Sequence, residues 1–174
     1  MQTDLIQNTR VFKEFERSFN HFFEECERGF TNELIINMYC RIYTPGKTVI
    51  SYKSNVKEMY FIRQGLVEVY NNENDELKEG KETPILYLPK YSYFGDYQIL
   101  NNLKSNIVFK TLANKPDDNK GGAQTEMLPD IIFMCIEKSK LIDLCELFPQ
   151  TAQNIKRRSL ERRQRFMHQK NQNS

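Results

Sequence analysis

The sequence predicts an α+β domain in which helical ends enclose a middle built of short strands. Three observations carry this. Phenylalanines recur every three or four residues before residue 27. Between residues 41 and 137, β-branched and aromatic runs alternate with Gly- and Pro-containing turns. Helical spacing then returns and persists to the end of the chain. The sequence divides into a helical segment over 1–40, a strand-rich segment over 41–137 and C-terminal helices over 138–174.

In the first segment Val11, Phe12, Phe15, Phe19, Phe22 and Phe23 draw one stripe on a helix from Arg10 to Cys26, with Lys13, Glu14, Glu16 and Arg17 on the other side. Such a stripe is expected to pack on the domain's own core, and its size leaves some of it for a neighbouring subunit. Gly29 interrupts the pattern, and Thr31 would cap a second short helix carrying Leu34, Ile35 and Met38. Strands are expected around Arg41–Tyr43, Thr48–Tyr52, Glu58–Ile62, Leu66–Tyr70, Pro84–Leu88, Ser105–Phe109 and Asp130–Ile136. Arg63-Gln64-Gly65 joins two of them as a hairpin. So many short strands with turn signals indicate a β-sandwich, roll or barrel. Asn71 to Glu82 reads as a polar loop, and 113–130 as a surface insertion poor in apolar residues. After Glu137, Leu141, Ile142, Leu144, Cys145 and Leu147 repeat at helical spacing. Pro149 is placed to open a last, arginine-rich helix through Ile155, Leu160, Phe166 and Met167.

Composition narrows function. A net charge of +2 argues against a globally basic nucleic-acid binder. The first residues lack the basic and apolar regions of a secretory signal, and no run of about twenty apolar residues offers a membrane span. Cys26, Cys40, Cys135 and Cys145 form no CxxC pair and read as buried, reduced thiols of a cytoplasmic protein. Only His21 and His168 are available, both in polar helical segments, so neither a histidine metal site nor a nucleophile–histidine pair is expected. The expectation is a non-catalytic domain with no metal and no cofactor.

Helices, then Tyr43-Thr44-Pro45-Gly46, then Met59-Tyr60-Phe61-Ile62-Arg63-Gln64-Gly65, then Tyr93-Phe94-Gly95-Asp96 and a Pro-started terminal helix follow one another in that order. In order and spacing, from about Phe30 to Met167, this resembles the cyclic-nucleotide-binding domain family, in the style of hyperpolarisation-activated and ether-à-go-go-type cation channels. The resemblance implies a β-roll (a jelly-roll, or double-stranded β-helix) with flanking N-terminal and C-terminal helices.

It also implies a phosphate-cassette-like segment over 93–106. In the family, a short helix after the Phe-Gly-acid motif offers its free N–H groups to the phosphate, and the acid accepts from the ribose hydroxyl. By that correspondence Gly95 allows close approach, Asp96 replaces the usual glutamate, and Tyr97, Gln98 and Ile99 supply amides. The family's phosphate arginine falls on Ser105, followed by Asn106. Loss of one charge-assisted hydrogen bond costs about ten- to a hundred-fold in affinity. Lys104 stands one residue earlier as a point charge without a guanidinium's fork. Two family glycines before Met59 are replaced by Lys53 and Val56, and the lid's arginine and apolar residue correspond to Arg162 and Phe166.

The implied function is a regulatory module that senses cAMP or cGMP and relays helix movement to an attached channel or partner. The alternative is a ligand-free version of the fold used for assembly. Protein partners or channel subunits would then be met through the Phe-rich first helix and the basic last one. The implied location is the cytoplasm, at the cytosolic face of a membrane or a cilium, with no nucleic acid bound.

Overall fold

The computed structural model describes residues 10–71, 83–113 and 128–172. In chain order the elements are α1 (Arg10–Ser18), α2 (Asn20–Phe23), α3 (Arg28–Ile36), β1 (Tyr39–Tyr43), β2 (Thr48–Ile50), β3 (Glu58–Gln64) and β4 (Val67–Asn71). After these come β5 (Leu86–Leu88), β6 (Tyr93–Phe94), α4 (Asp96–Leu100), β7 (Ile107–Thr111), β8 (Ile131–Glu137), α5 (Lys138–Leu147) and α6 (Pro149–Gln172). The polar loop expected at 71–82 and the insertion at 113–130 lie, save for their ends, outside the described residues.

Two four-stranded sheets, ordered β1-β8-β3-β6 and β2-β7-β4-β5, pair antiparallel throughout. Their inner faces meet where Phe94 of β6 stacks on Phe109 of β7 at 4.6 Å, with Tyr60 of β3 stacked on Phe94 at 5.0 Å. The result is a jelly-roll with helices at both chain ends. β3 shows why this sequence needs both layers. Period-two alternation sends Tyr60 inward, toward Phe94 and Phe133, and Phe61 to the opposite face. There Phe61 meets Phe15, Phe19 and Phe22 at 5.8, 5.1 and 5.1 Å. A strand apolar on both faces requires cover on both, and the phenylalanine stripe supplies the second cover.

Several sequence expectations change in detail. The first helix breaks at Phe19, which lets Phe19, Phe22 and Phe23 turn onto β3. The cap of α3 is Glu27, not Thr31, which is buried within the helix. Gly29 does not separate two helices; it lies in the first turn of α3, under the ring of Phe148. The five phenylalanines of the stripe, Phe12, Phe15, Phe19, Phe22 and Phe23, are buried in the chain's own core, whereas Val11 is exposed. Cys40 is exposed rather than buried, and all four cysteines are unpaired. Ser105 precedes β7 instead of opening it.

The hairpin glycine, Gly65, takes φ +97°, with Ile131 so close that a Cβ would sit 2.7 Å from its Cγ1. Among the described residues no helix is long and apolar enough to cross a membrane.

Candidate ligand pocket at the cassette helix

β6 ends at Phe94, and the chain swings into α4 through Gly95 at φ +91°. That conformation already favours glycine, and space demands it: a Cβ here would lie 2.8 Å from the Glu58 carbonyl oxygen. The close approach served by Gly95 is therefore to the backbone of β3, which fixes where α4 begins. Val56 packs from the same side, 3.4 Å from that Cβ position. Lys53, standing where the family has glycine, keeps a left-handed φ of +57°.

Asp96, the first residue of α4, is 5% exposed. Its Oδ2 accepts a hydrogen bond from Nη1 of Arg162 at 3.0 Å. The same guanidinium donates through Nη2 to the Tyr93 carbonyl and lies over the Tyr93 ring, 3.8 Å from its centre. Phe166, one turn further along α6, stands 5.9 Å from that guanidinium. The terminal helix is thus drawn down onto the cassette by one side chain, Arg162, which reaches three different groups of one short stretch. Burial pushes the Tyr93 hydroxyl above its ordinary range.

With α6 seated, the hollow between α4 and α6 has a volume of only about 20 Å3, room for about one water and far below the roughly 300–1,000 Å3 of small-molecule sites. Gly95, Asp96, Tyr97, Gln98, Arg162 and Phe166 all line it. Six of the sequence-selected residues are therefore brought together. The other three stand apart. Lys104 is exposed and lies outside the hollow, its backbone bridged to Asn55. Ser105 is 1% exposed; its Oγ donates to the Ile107 carbonyl at 2.6 Å and accepts from Gln98 Nε2 at 3.4 Å. Asn106 does not line the hollow, but its Oδ1 accepts a hydrogen bond from Nη2 of Arg163.

Arg163, not singled out from the sequence alone among the arginines of the last helix, also belongs to the site. It is 9% exposed, lines the hollow and lies over the Tyr97 ring at 5.4 Å. Burial lowers its pKa from the usual arginine value. A signal was available: Thr151, Ile155, Ser159 and Arg163 repeat every four residues and form the buried stripe of α6. Leu160 and Met167, which looked like core positions, are exposed instead.

No protein-family model matches the sequence. The rod photoreceptor alpha subunit of the cyclic nucleotide-gated channel from Gallus gallus is 30% identical over 132 residues, covering 69% of this chain and 19% of that protein. The chain spans 9% to 19% of the length of the curated relatives it matches. Among solved structures, the regulatory domain of Toxoplasma gondii PKA, co-crystallised with cAMP, superposes with a TM-score of 0.65 at 10% identity, covering 87% of this chain and 49% of that one. The regulatory subunit of a cAMP-independent protein kinase A from Trypanosoma brucei gives 0.56 at 15% identity, covering 83% and 47%. The similar proteins are channel subunits and regulatory domains. By sheet topology, cassette geometry and these likenesses together, the chain is a domain of the cyclic-nucleotide-binding type.

Proposed function

We propose that this domain is a ligand-responsive regulatory module in which a cyclic nucleotide enters between α4 and α6 by displacing α6 from its closed seat, and whose terminal helix reports the occupancy to an attached channel or protein partner. One observation carries it: Arg162, on the helix corresponding to the family's lid, holds Asp96, the residue corresponding to its ribose acid. A ribose hydroxyl that donates to Asp96 has to share or displace the Arg162 guanidinium. Binding and the seating of α6 then become one equilibrium, shifted by the ligand's differential affinity for the two helix positions. The amides of Tyr97 and Gln98 face the phosphate in this arrangement, that of Ile99 being spent on the Gly95 carbonyl, and Phe166 closes over the base.

Titration calorimetry of the full chain with cAMP and with cGMP tests the proposal directly. Heat that saturates below millimolar ligand is expected, and a flat titration with both at millimolar concentration refutes it.

A second reading, a ligand-free assembly module, is favoured by one feature. Ser105 spends its hydroxyl on the Ile107 carbonyl and offers the hollow no donor from the strand side. The structurally similar Trypanosoma brucei regulatory subunit belongs to a cAMP-independent protein kinase A. On this alternative, neither nucleotide changes the melting temperature of the domain, while a tethered partner still binds.

A further inference from the structure

Within the hollow, the arginine on the strand side is missing while an arginine on the helix side is in excess. Among the described lining residues, one carboxylate, Asp96, faces two guanidiniums, Arg162 and Arg163, which leaves one positive charge. Arg162 is committed to Asp96, to the Tyr93 carbonyl and to the Tyr93 ring. Arg163 is not. Its Nη2 donates to Asn106, but its Nη1 is buried and has no hydrogen-bond partner among the described residues. A guanidinium carries five N–H donors, two of them on Nη1, and burying these unanswered costs free energy that a structural residue has no reason to bear. Asn106 and Tyr97 hold the group from two sides, so it is oriented before any ligand arrives.

We infer that Arg163 is the anion-binding guanidinium of this pocket, filling from the terminal helix the role that Ser105 leaves open on the strand side, and that its ligand group is a phosphate monoanion. The single surplus charge matches one phosphodiester. The planar fork of a guanidinium matches two phosphate oxygens, which exposed Lys104 cannot do. Countercharge and cover then sit on the same helix, so the anion itself pins α6 onto the cassette. This inference rests on the pocket proposed above, but not on a cyclic nucleotide being what fills it. The phosphate belongs to a cyclic nucleotide or to a free phosphate, and the experiment separates the two.

Calorimetry and thermal shift on the full chain use cAMP, cGMP, inorganic phosphate and the uncharged nucleosides, with wild type, R163Q, R163K and K104Q. R163Q is expected to weaken the phosphate-bearing ligands about ten- to a hundred-fold, the size of one charge-assisted hydrogen bond. R163K should recover part of that loss, and K104Q should bind as wild type. Responses to uncharged nucleosides should not change in R163Q, whereas a merely structural role would move them equally.

If cyclic nucleotides bind wild type and R163Q alike, the proposed function stands and the Arg163 inference is lost. If only inorganic phosphate responds, and does so through Arg163, the anion site stands without the cyclic nucleotide. Silence of wild type toward every phosphate overturns both. Should R163Q not fold, the Arg163 Nε–Hε resonance of wild type decides: it must move on phosphate addition, and a stationary signal with ligand bound refutes the assignment.

Discussion

Two buried carboxylates, Glu58 on β3 and Asp96 just past the end of the neighbouring strand β6, each have an arginine, and they are finished to different degrees. Glu58 on β3 receives Nε of Arg41 at 2.8 Å on both oxygens, a further bond from Nη2, and the Tyr39 hydroxyl. Burial pushes the Glu58 carboxyl up, but the bonds from Arg41, Tyr39 and Tyr60 outweigh it and hold the group below its ordinary value. No side-chain atom of that cluster is left buried without a partner. Asp96, after β6, has its arginine too, yet beside it stands a second guanidinium whose Nη1 is unanswered among the described residues. A closed polar network stabilises a fold and has no capacity left for a ligand. A network with one surplus donor lowers stability and retains affinity for an anion. The first cluster is architecture; the second has the makings of a receptor.

The backbone joins the two, and breaking that joint should have the largest effect. Gly95→Ala forces a Cβ to within 2.8 Å of the Glu58 carbonyl at a positive φ, and should cost about 3 kcal/mol from strain and overpacking together. Urea unfolding measures it, and a loss below about 1 kcal/mol would show that α4 is free to shift away from β3.

Glu58→Gln should cost about 1–3 kcal/mol, since it removes charged hydrogen bonds but leaves Arg41 half-exposed to water. It should also change the acid limb. With its folded value lowered, Glu58 contributes its full stabilisation above the ordinary value near 4.5 and loses it as pH falls through the lower folded value. Melting temperature against pH should therefore fall less steeply below 4.5 in the variant than in wild type.

The receptor cluster should respond with the opposite sign. Arg163→Met removes a buried, incompletely paired charge and should leave stability unchanged or raise it by up to about 1 kcal/mol. A loss as large as that of Glu58→Gln would show that Arg163 is structural, and the contrast between the clusters would disappear. The smallest effect is expected at Lys53, which holds φ +57° where the family has glycine. Lys53→Gly should stabilise by about 0.5–1 kcal/mol, the left-handed strain relieved less the entropy of glycine, as read by the shift in denaturation midpoint.

Local pattern was sufficient for the elements. The phenylalanine spacing of α1 and α2, the two-sided apolar run of β3, the turn at Gly65 and the opening of α6 at Pro149 are all written in short stretches, because periodicity and backbone preference act over a few residues. The cassette was legible for the same reason: Tyr93-Phe94-Gly95-Asp96 is contiguous, and Gly95 takes the left-handed turn that its position calls for. The terminal helix could be only half read. Arg162 and Arg163 are neighbours in a run of basic residues that hydropathy assigns to solvent. Which guanidinium goes where depends on Asp96, Tyr93, Tyr97 and Asn106, all more than fifty residues away.

By itself, then, the sequence determined the strands, the helices, the jelly-roll that joins them and the stretch that opens the pocket, since each is a preference of nearby residues or of their order. Tertiary structure alone decided that the phenylalanines are consumed internally, that Ser105 turns to its own backbone, and that one arginine is satisfied while the next keeps a donor nitrogen with no partner among the described residues. Those outcomes depend on which distant groups meet in a place that excludes water, and hydrogen bonding there is settled by geometry rather than by residue type.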